Sequence, residues 1–196
     1  MGSKQIVWCV ALMALILASQ RGALGQSSAG NQAPEQTIFD AEPSSGEMLV
    51  KHPTEVPDSA LQVLRDGLTG GTFNCLKSRG VTPDQAPASW FLASEIHLNG
   101  PNEIDLIVVP NAPKIADPTN PGGCMLPAHG GLFWVLGPGI ASGRYELLLA
   151  TYGLRLEVLD SRANRYRDIQ VGEGNTTLLY KFTLQQYQLE QRKGAH

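Results

Sequence analysis

Long apolar runs are scarce in this sequence. Its one sustained apolar stretch among 196 residues runs from Ile6 to Ala18, short of the ~20 residues that a bilayer-spanning helix needs. No membrane span is expected. Positive charge is also scarce, with 15 Lys and Arg against 18 Asp and Glu and a net charge of −3. That balance argues against nucleic acid or an anionic membrane surface as the main partner. The sequence contains no GxSxG, HExxH, P-loop or dinucleotide-binding fingerprint, so the motif-marked hydrolase, metalloprotease and nucleotide-binding classes lose their usual signatures. No cofactor is implied.

What is present begins with an export signal. Lys4, the apolar run and the small residues Ala23 and Gly25 have the order of a secretory signal peptide over residues 1–25, cleaved near Gly25. Cleavage there would remove Lys4 and Arg21 and no acidic residue, taking the net charge from −3 to −5. Cys9 leaves with the leader. The expected product is a free periplasmic or secreted protein. Cys75 and Cys124 remain, and in an oxidising compartment a disulfide is the expected state; two free thiols, or one nucleophile, are the alternatives.

Residues 26–57 are rich in Ser, Gly, Gln, Glu and Pro and predict a flexible tether, with "EMLV" as its one docking segment. Pro57, Asp58 and Ser59 then offer a helix start, with Ala60, Leu61, Leu64 and Leu68 at helical spacing and Gly70 and Gly71 as its end. A second helical turn is expected around Cys75. From Trp90 onward the pattern is that of strands: "SWFLASEIHL", "IDLIVV", "LFWVLG", "RYELLLATYG", "LRLEVLD", "YRDIQV", "TLLYKFTL" and "QYQLEQ". A long Pro- and Gly-rich loop spans residues 110–131. The predicted fold is α+β, mainly antiparallel β: one meander or sandwich-like domain over residues 58–190, an N-terminal helix packed on it, and a disordered tail at 191–196.

The turn in "IHLNGPNEIDLIVVP" places His97, Asn99, Pro101 and Asp105 at the spacing of the ligands in FG-GAP-type calcium loops, which it resembles in outline. A His and a Pro stand where an oxygen-seeking cation prefers carboxylates, so no metal is assigned and a hairpin with a polar tip is expected. "DLIV" at Asp105 and "DIQV" at Asp168, 63 residues apart, are read as common hairpin chemistry, with a duplicated unit as the lesser alternative. More broadly, "WF.A..I.LNG...DLIV", "FWVL", "Y.LLL", "L.VLD.R.N.YRDI" and "Y.F....Y", within residues 58–190, resemble an uncharacterised group of small exported bacterial β-rich proteins. That resemblance implies the compartment and the single β-rich domain, and it supplies no catalytic residue.

His129, five residues after Cys124, raises a Cys–His nucleophile pair, and His97, Cys124 and His129 with Asp105 nearby raise a zinc set; neither has supporting spacing. Arg144, Arg155, Arg162, Arg165 and Arg167 would form a site for an anionic partner if they shared one sheet face. The alternative is a solvated face paired with Glu146, Glu157, Asp160 and Asp168. Trp90, Phe133, Trp134, Tyr145 and Tyr152 are core candidates, and a sugar platform only if exposed together. Two functions follow. The first is an exported non-enzymatic binding or inhibitor module of the bacterial cell envelope, meeting a protein or glycan through the 110–131 loop, including His129, or through the Arg residues. The second is a small motif-poor envelope hydrolase using His97, Asp105, His129 or Cys124. Expressed with its leader in a bacterial host, the exported protein should begin at Gln26; amino-terminal sequencing that finds Met1 retained overturns the export reading.

Overall fold

The computed structural model describes residues 35–41, 50–139 and 143–194; the expected leader and positions 26–34 and 42–49 of the expected tether, with all of "EMLV" but Val50, lie outside them. Alternation of apolar side chains organises these residues into nine strands: β1 (Ile38–Asp40), β2 (Phe91–Ile96), β3 (Asp105–Pro110), β4 (Gly131–Pro138), β5 (Tyr145–Gly153), β6 (Arg155–Ala163), β7 (Tyr166–Glu173), β8 (Thr176–Phe182) and β9 (Tyr187–Gly194). Strands β2-β3-β4-β5 form one antiparallel meander, and β1-β6-β7-β8-β9 form the second sheet. The two sheets share a core in which Ile107, Val109, Phe133 and Val135 meet Leu156, Val158, Ile169 and Val171. The mainly antiparallel β fold with added helices is thus as expected from the sequence.

The smaller sheet is covered on its other face as well. Helices α1 (Asp58–Asp66) and α2 (Gly70–Ser78) bring Ala60, Leu61, Leu64 and Leu76 into a second core with Leu106, Val108, Trp134 and Leu136. Strand β3 is therefore buried at all six positions, with Leu106 and Val108 facing the helices and Ile107 and Val109 facing the other sheet. That double burial is why "LIVV" is a continuous apolar run rather than an alternating one. Each such aliphatic side chain contributes roughly 1.5–3 kcal/mol by leaving water.

Three boundaries differ from the sequence expectation. Helix α1 ends at Asp66 with Gly67 as its C-cap, while Gly70, at φ +59°, opens α2. The two glycines expected to stop the first helix instead begin the second, because helix start and helix end both tolerate glycine. The tether reading does not hold for the described part of residues 26–57. Ile38, Phe39 and Asp40 pair with Glu157, Leu156 and Arg155, Phe39 and Val50 are fully buried, and Thr54 bridges to Ala93. A three-residue edge strand needs only one buried side chain, so a polar composition did not prevent it. Likewise Gln191 to Gly194, read as tail, pair with β8 as far as Thr176.

The 110–131 segment is organised too. It holds a short helix, α3 (Ala112–Ile115), and a 3₁₀ turn at Pro121–Met125. Cys124 in that turn is disulfide-bonded to Cys75 of α2, with Cα atoms 5.7 Å apart. Arg79, just after α2, donates to the carbonyls of Pro118 and Asn120 at 3.1 and 3.0 Å. Loop and helical layer are therefore joined covalently and by hydrogen bonds. Closing a loop of this length contributes ~4 kcal/mol in the chain-entropy account. Alkylation of the purified protein without reductant should leave Cys75 and Cys124 unmodified in the mass spectrum. Replacing both by Ser should cost about that much in urea unfolding, and ready alkylation of either cysteine would sink the pairing.

Candidate functional site

The β2–β3 turn is closed from inside. Asp105, fully buried at the start of β3, accepts the Leu98 N–H through Oδ2 at 2.9 Å. Its other oxygen, Oδ1, has no hydrogen-bond partner and lies over Gly137 of β4, where a Cβ would come within 2.8 Å of it. Burial pushes the Asp105 carboxyl up to about 7, against the opposing pull of the Leu98 N–H, with Glu103 adding to the rise. Asn99 donates to Glu103 and, at 3.1 Å, to the Tyr166 hydroxyl. The fourth position of the calcium-like frame is thus spent on the hairpin itself. No group of three or more His, Cys, Asp or Glu side chains among the described residues is placed to hold a metal ion.

The second meander repeats this device. Asp168, buried on β7, accepts the Ser161 hydroxyl at 2.7 Å and leaves Oδ1 without a partner. In both hairpins the donor precedes its Asp by seven residues. Asp105 and Asp168 are thus both buried just after a hairpin turn, but Asp105 accepts a main-chain N–H and Asp168 a hydroxyl. Between Val158↔Ile169 and Arg162↔Arg167 the β6–β7 register shifts, so three residues of β6 bulge opposite one of β7. Arg167 fills that bulge. Its guanidinium donates to the carbonyls of Leu159 and Val158, at 2.9 and 3.3 Å, and to the carboxylates of Glu35 and Asp160, at 3.0 and 3.1 Å.

Main-chain groups extend the knot. The Arg167 N–H donates to the Leu98 carbonyl at 2.8 Å, which also accepts Arg162 Nη1 at 2.9 Å. The buried Tyr187 hydroxyl donates to the Arg167 carbonyl at 2.6 Å. Burial, the largest cause, drives that phenol's titration upward. Glu35 completes the group, accepting the His97 N–H and lying 3.2 Å from His97 Nδ1. His97 and Asp105, both singled out in the sequence, thus share one end of the sandwich. Glu35 and Tyr187 were not foreseen. Glu35 sits in a polar stretch with no periodic signal, whereas the terminal aromatic pattern did contain Tyr187 without showing its inward hydroxyl.

The arginines do not form one face. Arg167 is 8% exposed, with its donors directed at protein acceptors. Arg162 wraps onto the carbonyls of Leu98 and Arg165, and Arg165 sits in the β6–β7 turn at φ 75°. Arg155, at the far end of β6, lies 3.8 Å from Asp40 and 3.9 Å from Glu157, and Arg144 is exposed beside β5 of the other sheet. His129 is exposed immediately before β4. The register pairs Ile96 with Asp105 at one end of β3 and Phe91 with Pro110 at the other. His129 and Cys124 therefore lie near the Pro110 end, about 17 Å from His97 and Asp105 at strand rise. Cys124 is also committed to its disulfide. Neither a Cys–His pair nor a three-group hydrolytic cluster assembles from these residues.

Trp90, Phe133 and Trp134 are buried in the core, Tyr145 is half-buried and Tyr152 is 39% exposed, so the five do not form a shared platform. The concavity that does involve a foreseen element is a cleft of about 180 Å³ between the 110–131 loop and the end of the smaller sheet. Pro110, Leu126, Pro127, Ala128 and Phe133 line it. No family model, curated protein or solved structure matches the chain.

Asp105 gives a pH test with a defined sign. Its folded value, about 7, exceeds the ordinary 3.8. Between those values the folded protein therefore holds a proton that the unfolded chain has lost, and stability falls as pH rises through this window. Relative to Asp105→Asn, the wild type should lose on the order of a few kcal/mol between pH 4 and pH 8, at about 1.4 kcal/mol per unit. Urea unfolding at both pH values measures it; a wild-type-to-variant difference that stays constant across the range refutes a neutral buried acid.

Proposed function

We propose that this chain is an exported, non-enzymatic binding or inhibitor module of the bacterial cell envelope, whose protein or glycan partner meets the 110–131 loop. The observation that carries the reading is the fixing of an exposed loop on a rigid base. Cys75–Cys124 and the Arg79 hydrogen bonds pin its middle, while Pro127, Ala128 and His129 stay exposed beside an apolar cleft. A loop ordered before binding pays less conformational entropy on capture, which favours recognition. The hydrolase alternative has less support, since His97 with Asp105 and His129 with Cys124 lie at opposite ends of β3.

An arginine in the cleft wall tests the reading without disturbing the core. Ala128→Arg should leave the melting temperature within about 2 °C, as surface substitutions do, and should abolish retention of an envelope partner by the immobilised, disulfide-intact protein. Arg144→Ala should retain it. Undiminished capture by Ala128→Arg removes the loop from the binding face.

A further inference from the structure

The β7–β8 hairpin turns on Gly174 and Asn175, with Glu173 paired to Thr176 as its closing rung. Gly174 stands at φ +56°, the conformation that the first central position of a type II′ turn requires and that glycine adopts without steric cost. Asn175 follows outside the positive-φ region, and both tip residues are exposed. Other asparagines are placed differently. Asn99, Asn111, Asn120 and Asn164 spend their carboxamides on bonds within the fold, to Tyr166, Ser89, Gly122 and Phe182 respectively.

The tip also carries a pattern. Asn175 is followed by a residue other than proline and then by Thr177, the acceptor order for N-linked glycosylation of exported proteins. Among the eight asparagines of the chain, Asn175 alone has Ser or Thr two positions on. Glu173 adds the acidic residue, two positions before Asn, that bacterial oligosaccharyltransferases read by its charge; it lies at the surface, 3.6 Å from Arg192. An amide nitrogen is a weak nucleophile because its lone pair is delocalised into the carbonyl. The transferase must therefore draw the carboxamide into its own site while a pocket holds the hydroxyl two residues on. A side chain at the tip of a two-residue turn can be presented in this way. Thr177 lies one rung inside, opposite Gly172, and fraying of the last two rungs releases its hydroxyl, an opening that costs least at the end of an element.

We propose that Asn175 is a site of N-linked glycosylation, filled after export from a lipid-pyrophosphate-linked oligosaccharide. In the transfer the Asn175 side-chain nitrogen bonds to the anomeric carbon of the sugar. The bond from that carbon to the pyrophosphate oxygen breaks, and the lipid pyrophosphate leaves with the electron pair. The nitrogen gives one proton to a base of the transferase, and nothing is oxidised or reduced. The proposal rests on the export reading and not on binding by the 110–131 loop.

The test is expression of the full chain, leader included, in a bacterial host supplied with an acid-requiring membrane oligosaccharyltransferase and its undecaprenyl-linked oligosaccharide. Intact mass of the purified, disulfide-intact protein should show the leader-cleaved chain plus one oligosaccharide, and fragmentation should place the sugar on Asn175. Asn175→Gln and Thr177→Val should carry none, Thr177→Ser should keep it, and Glu173→Gln should lose it with this class of transferase. Asn175→Gln should melt within about 2 °C of the wild type, as surface substitutions do, which separates loss of the acceptor from loss of the fold. Ala128→Arg should be glycosylated as the wild type is. A leader-cleaved chain without added mass, or added mass that persists in Asn175→Gln, overturns the proposal; a chain that retains residues 1–25 overturns export and the proposal together.

Discussion

The buried guanidinium of Arg167 is the interaction on which the arrangement of strands depends. A charge taken out of water is costly unless every donor finds an acceptor, and here the acceptors come from separate parts of the chain. Glu35 precedes β1, Val158, Leu159 and Asp160 belong to the β6 bulge, and the main chain of the same residue reaches Leu98 and Tyr187. The bulge and the charge explain each other. Bulging turns the carbonyls of Val158 and Leu159 away from the β7 ladder, and the guanidinium takes them up. A register slip of β6 on β7 would strand both, so the side chain selects one pairing among those that alternation alone would allow.

The same economy recurs in the paired aspartates. Each meander closes its first hairpin by a carboxylate reaching back seven residues, to a main-chain N–H at Leu98 and to a hydroxyl at Ser161. Asp105 accepts no cation's hydrogen bond, and its second oxygen rests over Gly137, a site that favours the neutral acid. Gly137 is required by that closeness: any side chain would displace the carboxyl or Leu148, whose Cδ1 would be 2.6 Å from the new Cβ. A polar tip that looks in sequence like a cation loop is in the fold an inward-facing lock.

Much of this architecture was legible. The alternation in "SWFLASEIHL" marked a strand, which sets Leu92, Ile96 and Leu98 in one core and Phe91 and Ala93 in the other, whereas the apolar run of β3 indicated a strand without its double cover. Trp90 departed from that pattern because it lies in a 3₁₀ turn before β2, where period-two counting does not apply. The short edge strand β1 was hidden because one buried Phe39 among polar neighbours gives no periodicity. The partners of Arg167 were hidden for a different reason: two of the four acceptors of its guanidinium are main-chain carbonyls, which sequence does not encode, and the Glu35 carboxylate comes from a distant polar stretch. Counting five arginines left a shared face and a solvated, locally paired one both open, but which of them turns inward was fixed by a bulge that nothing in their spacing reveals.

Covering both faces of the smaller sheet restricts where recognition can occur. Helices α1 and α2 occupy one face and the second sheet occupies the other, leaving connections and strand edges. Strand β9 is an edge, yet its exposed residues include Glu190, Arg192 and Lys193, charges of the kind that discourage pairing with another chain. Two of them already face Lys181 and Glu173 across the sheet. Two clefts are present among the described residues: one under the disulfide-pinned loop, one at the start of α2. Because Cys75 lies on α2 and Cys124 in the loop, a single covalent bond ties the elements that line the two clefts. Reduction would release the loop from the helix that positions it, so loss of the disulfide should be felt at both clefts before it is felt in the sheets.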